Sequence, residues 1–193
     1  CDSFLIFSLV MQLVRSKGLR GYGTAISDCW DDMQAVIPRL RFSQPLAASS
    51  FCAARGKLCE SIFKEIHSSV VKLFEKYSGR DFLWHGHRIF AIDGTKVNLP
   101  RRLIENGFNT PNKNSHYPQG LLSTLYNLLT HIPYDFSLSS NMSEREPIPT
   151  HLDALKKSDL VIYDRGYFSY EVLKLHLDRG IHGVFRLKSK GNL

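Results

Sequence analysis

Two short apolar runs that each stop at an aspartate constrain this chain more than any other feature. Ile89-Phe90-Ala91-Ile92 leads into Asp93-Gly94-Thr95, and Leu160-Val161-Ile162-Tyr163 leads into Asp164-Arg165-Gly166-Tyr167. Both runs are too short for helices and read as buried strands. If they are parallel neighbours in one sheet, their C-terminal ends share an edge, and the aspartates converge despite the 164 − 93 = 71 positions between them. Singly, either aspartate reads as a turn residue, since Asp-Gly is a common turn dipeptide. As a pair they point to chemistry. Adjacent carboxylates repel unless a cation lies between them, and Mg2+ or Mn2+ is the kind of hard ion that oxygen ligands hold. Two such ions about 4 Å apart can activate a water or a 3′-hydroxyl and stabilise the leaving oxygen of a phosphodiester.

The remaining sequence arranges itself around these runs. From Phe4 to Tyr77 the periodicity is helical, and Gly18, Gly21, Gly23, Pro38 and Pro45 separate three expected helices. The longest is expected to start at Ser49 or Ser50 and to bury a stripe of Phe51, Leu58, Ile62, Ile66, Val70 and Phe74. Its other face mixes Arg55, Lys57, Lys64 and Lys72 with Glu60, Glu65 and Glu75, as a solvated surface does, though a DNA-contacting face is the alternative. After Ser78-Gly79-Arg80 the pattern changes. Leu121 to Leu129 and Tyr134 to Ser140 read as a hairpin around His131-Ile132-Pro133, and Asn106 to Gly120 as a long loop. Thr150 with Asp153 resembles a capping box opening a short helix through Lys157. A helix from Glu171 to Asp178, stopped by Gly180, precedes a strand from His182 to Leu187. The order is strand, strand, strand, helix, strand, helix, strand.

Composition narrows the class. With 43% hydrophobic and 22% charged residues the chain can build a globular core, and a net charge of +7 favours a polyanionic partner. Cys1, Cys29, Cys52 and Cys59 form no C-x-x-C pair, which suits a reduced, cytoplasmic chain. The apolar opening from Phe4 to Val14 is shorter than the roughly 20 residues a bilayer span needs, so no membrane segment is expected. His85-Gly86-His87 lacks further ligands at zinc spacing, and Trp84 before it suggests the approach to a strand.

The wording around the aspartates, Trp84 through Thr95 and Tyr163 through Ser169, with Leu99-Pro100 and Ala54-Arg55-Gly56-Lys57-Leu58, resembles bacterial insertion-sequence transposases of the type-four DDE group. The resemblance spans roughly residues 45 to 190. It implies an RNase-H-like mixed α/β sheet of order βββαβαβ after an N-terminal α-helical region, divided here as 1–82 and 83–193. It also implies a catalytic Asp, Asp, Glu triad, with Asp93 and Asp164 as its first two members and ligands of Mg2+ or Mn2+. The third member is expected on a helix after the fifth strand, within Tyr-x-x-Arg-x-x-x-Glu, and the sequence ends at Leu193 before such a helix. Glu144 and Glu146 precede Asp164, the wrong order for the triad, and read as surface residues.

By the same resemblance the partners are double-stranded transposon ends and target DNA, engaged by a multimer in the bacterial cytoplasm. Thr95 and Lys96 beside the first aspartate, and Arg165 and Tyr167 beside the second, are candidates for DNA contact. Arg165 could instead orient a carboxylate, and Tyr167 could pack beneath the site. Arg186, Lys188 and Lys190 offer a basic strip at the end of the last strand. Two other functions remain open on sequence: a DNA-binding remnant that does not cleave, and a helical protein-interaction module.

Overall fold

The computed structural model describes residues 10–11, 21–36, 45–59, 61–77 and 82–187, without the side chains of 29 and 31–36. The helix expected over Phe4 to Val14 therefore lies outside the described residues except at Val10 and Met11, as do Ser78-Gly79-Arg80, Lys188 and Lys190. The chain divides into two compact units, Cys1–His67 and Ser68–Leu193.

The first unit holds α1 (Tyr22–Val36), α2 (Ala48–Arg55) and the start of α3 (Ser61–Tyr77). The single long helix expected from Ser49 is thus two helices. Gly56 ends α2, and Ala47 occupies the N-cap position without a side-chain cap bond. The break rotates the expected apolar stripe out of register. Phe51 is buried, but Ile66 and Val70 are exposed and Val71 is the buried residue of α3. Tyr22 binds this unit together, with its ring tilted against Phe51 and its hydroxyl accepting from Arg55 at 2.8 Å.

The second unit is built on β1 (Ile89–Asn98), β2 (Gln119–Asn127), β3 (Ile132–Ser139), α4 (Ile148–Asp153), β4 (Leu160–Tyr163), α5 (Tyr170–Arg179) and β5 (His182–Phe185). A 3-10 helix, Arg101–Asn106, leads into the stretch expected as loop, and the bridge between Asn109 and Gln119 closes that stretch. The sheet order is β3-β2-β1-β4-β5. β1, β2 and β3 run antiparallel as a meander, then β4 lies parallel to β1 and β5 parallel to β4. This is the mixed sheet of an RNase-H-like core, in the expected element order.

One face of the sheet is covered. Phe90 and Ile92 of β1, Leu125 of β2 and Val161 and Tyr163 of β4 pack on Ile148 and Leu152 of α4 and Val172 of α5. Each such side chain contributes about 1.5–3 kcal/mol when fully buried. α4 begins after Pro147, with Pro149 in its first turn, so Thr150 lies inside the helix and the expected capping box does not form. α5 is capped as its sequence suggests: Ser169 accepts the Val172 amide, and Gly180, at φ 65, ends the helix in the left-handed region.

At the start of β1, His85 and Gly86 both have positive φ, 48 and 87, and form the tight turn that pairs Trp84 with His87. The His87 Nδ1 lies 2.7 Å from the Ser158 carbonyl oxygen. His-x-His is therefore the approach to a strand, as the neighbouring tryptophan suggests.

Candidate active site

β1 was expected to stop at Asp93, but it continues to Asn98, because β2 pairs with it as far as Gln119. Pairing with β4 ends earlier, at Ala91 opposite Ile162. Side chains alternate across a strand, so Asp93 and Asp164, each two positions beyond that last pair, carry the same face of neighbouring strands at the same height. The face is the one opposite the packed core, and both aspartates are exposed. Asp93 is thereby fixed within a strand, while Asp164 stands one residue past β4.

The turn after Asp164 is held from two sides. The Tyr167 amide donates to the Asp164 carbonyl at 3.2 Å, and Arg145, in the connection from β3 to α4, donates to the Gly166 carbonyl through Nε at 3.0 Å and Nη2 at 2.7 Å. Arg186 follows β5 on the same face and brings Nη1 to 4.0 Å from an Asp164 carboxylate oxygen. Both groups are well exposed, so the attraction is weak and leaves Asp164 open to other cations.

Thr95, Lys96 and Arg165 are exposed, and Thr95 shares the aspartate face by alternation. Tyr167 differs from the expected DNA contact: at 1% exposure it has no surface for a phosphate, and it packs in the core beside Tyr163. Its hydroxyl is buried without a hydrogen-bond partner. Burial, and then the negative charges of Glu144, Asp93 and Asp164, push that phenol well above its ordinary range; the Gly94 backbone acts weakly in the opposite sense without reaching hydrogen-bond geometry. The tyrosine stays protonated.

Glu144, expected at the surface, is exposed and runs close to two glycines. A Cβ built on Gly94 would meet Glu144 Cγ at 3.2 Å and Tyr167 Oη at 3.5 Å, and one on Gly166 would lie 3.7 Å from Glu144 Oε2. The glutamate therefore lies across the glycines that follow the two aspartates. Among the described residues no three His, Cys, Asp or Glu side chains are arranged to hold a metal by themselves.

A second constellation lies in the interior. Ser123 Oγ is 3.0 Å from His151 Nε2, and His151 Nδ1 is 2.7 Å from an Asp135 oxygen. These are the contacts of a nucleophilic triad, but Ser123 is 1% and His151 0% exposed, so no substrate reaches the hydroxyl. With its proton on Nδ1, the imidazole donates to Asp135 and accepts from Ser123, pinning β2, β3 and α4 together below Gly94, the register partner of Ser123.

No curated protein matches the chain by sequence. Two solved structures are similar to it. One is the piggyBac transposase synaptic complex with hairpin DNA, at 12% identity and a TM-score of 0.45, covering 98% of this chain and 41% of that one. The other is the Mos1 transposase paired-end complex with left transposon end, at 10% identity and a TM-score of 0.37, covering 95% of this chain and 59% of that one. The chain thus spans 41% and 59% of the lengths of these two proteins. The family described as transposase DDE domain matches residues 84–193, more than half of the 193, a stretch that contains the whole sheet and both aspartates. The chain belongs to the transposase DDE domain family.

Proposed function

We propose that this chain supplies the first two catalytic carboxylates, Asp93 and Asp164, of a DNA transposase that cuts transposon ends and joins them to target DNA. The observation that carries the proposal is that each aspartate follows by two residues the last pair, Ala91 and Ile162, of neighbouring parallel strands. The site also fits a hard divalent ion. Its donors are exposed oxygens, and Arg186, the cation at 4.0 Å from Asp164, is only loosely engaged. A bound Mg2+ or Mn2+ would supply Lewis-acid activation of the attacking oxygen and charge neutralisation at the scissile phosphate.

The chain's own residues have separate tasks. Asp93, fixed by β2 on its other side, gives the metal a rigid ligand, and Asp164, on a turn braced by Arg145, gives one that can adjust. Thr95, Lys96 and Arg165, with Arg186, Lys188 and Lys190, would follow the DNA backbone, which the net charge of +7 favours. The helical residues 1–82 would add DNA contacts to the core at 83–193, with the protein acting as a multimer in the cytoplasm. No helix among the described residues is long and apolar enough to cross a membrane.

The test is nicking of transposon-end DNA by the full-length protein with Mg2+. Asp93→Asn or Asp164→Asn should lower the rate at least about a thousandfold, as loss of a group central to transition-state stabilisation does, with DNA affinity unchanged within about threefold. Cleavage retained in either variant would refute the assignment. Binding without any cleavage by the unmutated protein would favour a non-cleaving DNA-binding role, and no binding even at low salt would favour a protein-interaction module.

A further inference from the structure

Beyond Ala91, where pairing with β4 ends, β1 and β2 run on together to Asn98 and Gln119, and β3 leaves them at Leu121 opposite Ser139. This two-stranded ribbon and the connection at its tip, residues 99–118, therefore stand out from the sheet at the edge that carries Asp93 and Asp164.

The connection is tied down at several points. Leu99 donates its amide to the Pro118 carbonyl at 2.8 Å, and Gln119 donates to the Asn109 carbonyl at 2.9 Å. Leu99 and Phe108 fold over Gly120, where a Cβ would meet their side chains at 2.9 and 3.0 Å, so glycine leaves them room. Gly107, at φ 86, ends the 3-10 helix and turns Phe108 back. Asn112 Oδ1 accepts from the Asn114 amide and the Ser115 hydroxyl and shapes the far turn.

On this base stand Arg101, Arg102 and Lys113, against one acid, Glu105. All three cations are exposed, and among the described residues none has an ion pair, unlike Arg88, Lys156 and Arg179 of the same unit. Arg101 Nη1 donates to His116 Nδ1 at 3.0 Å; a guanidinium only donates, so that nitrogen accepts and the imidazole is uncharged. The contact orders the arginine without neutralising it. Uncompensated cations on a fixed base repel one another, and phosphates relieve that repulsion while releasing their own counterions.

We propose that residues 99–118 form a DNA arm, in which Arg101, Arg102 and Lys113 take backbone phosphates of a duplex lying along the edge that carries Asp93 and Asp164. Asn98 stands five residues beyond Asp93, about 17 Å along the strand, which matches about five base pairs of one DNA strand. The arm holds duplex beside the scissile phosphate, and by phosphate contact alone it reads no sequence. Where the cut falls rests on the reading of Asp93 and Asp164 as catalytic; the phosphate contacts do not, and the test separates the two.

The full chain is titrated against a fluorescent duplex of mixed sequence over a series of NaCl concentrations. Anisotropy gives the slope of log Kd against log salt for the unmutated protein, Arg102→Gln, Lys113→Gln, the triple variant that adds Arg101→Gln, and Lys157→Gln. Lys157 is an exposed cation before β4, at the opposite end of that strand from Asp164, and none of these substitutions removes an ion pair. Each single arm substitution should lower the slope by about 0.9 and the triple by about 2.7, while Lys157→Gln leaves it nearly unchanged. A change below about 0.9 in the triple variant, or equal changes in Lys113→Gln and Lys157→Gln, would overturn the arm and leave the aspartates to their nicking test. No binding by the unmutated protein at low salt would overturn the arm and the DNA reading together. Nicking retained in Asp93→Asn alongside the expected slopes would support the arm and overturn only the reading of the aspartates.

Discussion

Replacing Arg88 by methionine should destabilise the second unit more than any other single loss of charge on its surface. Arg88 stands just before β1 and donates through Nε to Asp159 Oδ1 at 2.8 Å, through Nη2 to the other Asp159 oxygen, and through Nη1 to Glu75 and, at 3.1 Å, to Tyr134 Oη. Its guanidinium also lies over the Phe90 ring, 5.2 Å from the centroid. Asp159 is 5% exposed in its side chain, so methionine, which keeps the aliphatic stem, would leave a buried carboxylate without its cation. Breaking such a pair costs about 3–5 kcal/mol when the survivor is stranded. Here the survivors keep some partners: the Lys156 amide still donates to Asp159 at 2.7 Å, and Tyr134 still donates to Glu75 at 2.6 Å. A loss of about 2–4 kcal/mol follows, and at about 4 °C per kcal/mol for a unit of this size the melting temperature should fall by roughly 8–16 °C. Calorimetry of the unmutated protein, Arg88→Met, Asp159→Asn and the double variant checks the cause as well as the size. If the stranded charge is what costs, Asp159→Asn should do much less harm in the Arg88→Met background than alone. A fall below about 3 °C, or full additivity, would refute the reasoning.

Two further outcomes follow from buried histidines. His176 is buried with Tyr163 Oη 2.8 Å from its Nε2 and the Ile181 carbonyl 3.2 Å from its Nδ1; burial first, then the charges of Arg179 and His182, hold its pKa below 6.5 against the opposing Ile181 bond. Its contribution to stability is complete above pH 6.5, where folded and unfolded chains are both neutral, and declines as pH falls from there toward the folded value, at most about 1.4 kcal/mol per pH unit; urea midpoints of His176→Gln should show a shallower slope there than the unmutated protein, and identical slopes would refute this. His151→Leu keeps the buried volume but leaves the Ser123 hydroxyl unpaired, and should cost about 1–3 kcal/mol in denaturant titration, whereas a neutral substitution would show that this triad pins nothing.

Much of the fold is visible in the sequence because local signals agree with it. Ile89–Ile92 and Leu160–Tyr163 are apolar in every position, and Ser169 and Gly180 bracket α5 with the right cap chemistry at each end. What sequence hides is decided by non-local partners. Asp93-Gly94-Thr95 looks like a turn, yet stays in a strand because Thr124, Ser123 and Leu122 of β2 continue beside it. The stripe from Phe51 to Phe74 reads as one helix face because periodicity runs on across Gly56, where the backbone does not. At the candidate site the aspartates are legible as strand-end residues, whereas the closeness of Glu144 to Gly94 and Gly166 is not. Its place is set by Arg145 and two glycines, which no spacing rule connects.

The parallel pairing of β1 with β4 also has a kinetic side. Asn127 and Ile132, opposite one another across the β2–β3 turn, are five residues apart, while Phe90 and Val161 are 161 − 90 = 71 apart. Loop-closure entropy makes the second contact about 2 kcal/mol harder to form from an open chain. That difference shrinks only once the meander has folded and shortened the intervening loop. Local pairing therefore precedes the crossover, and Asp93 is in its strand before Asp164 arrives. The two aspartates belong to different stages of folding, and a nascent chain that stalls after β3 carries only one of these charges at this edge.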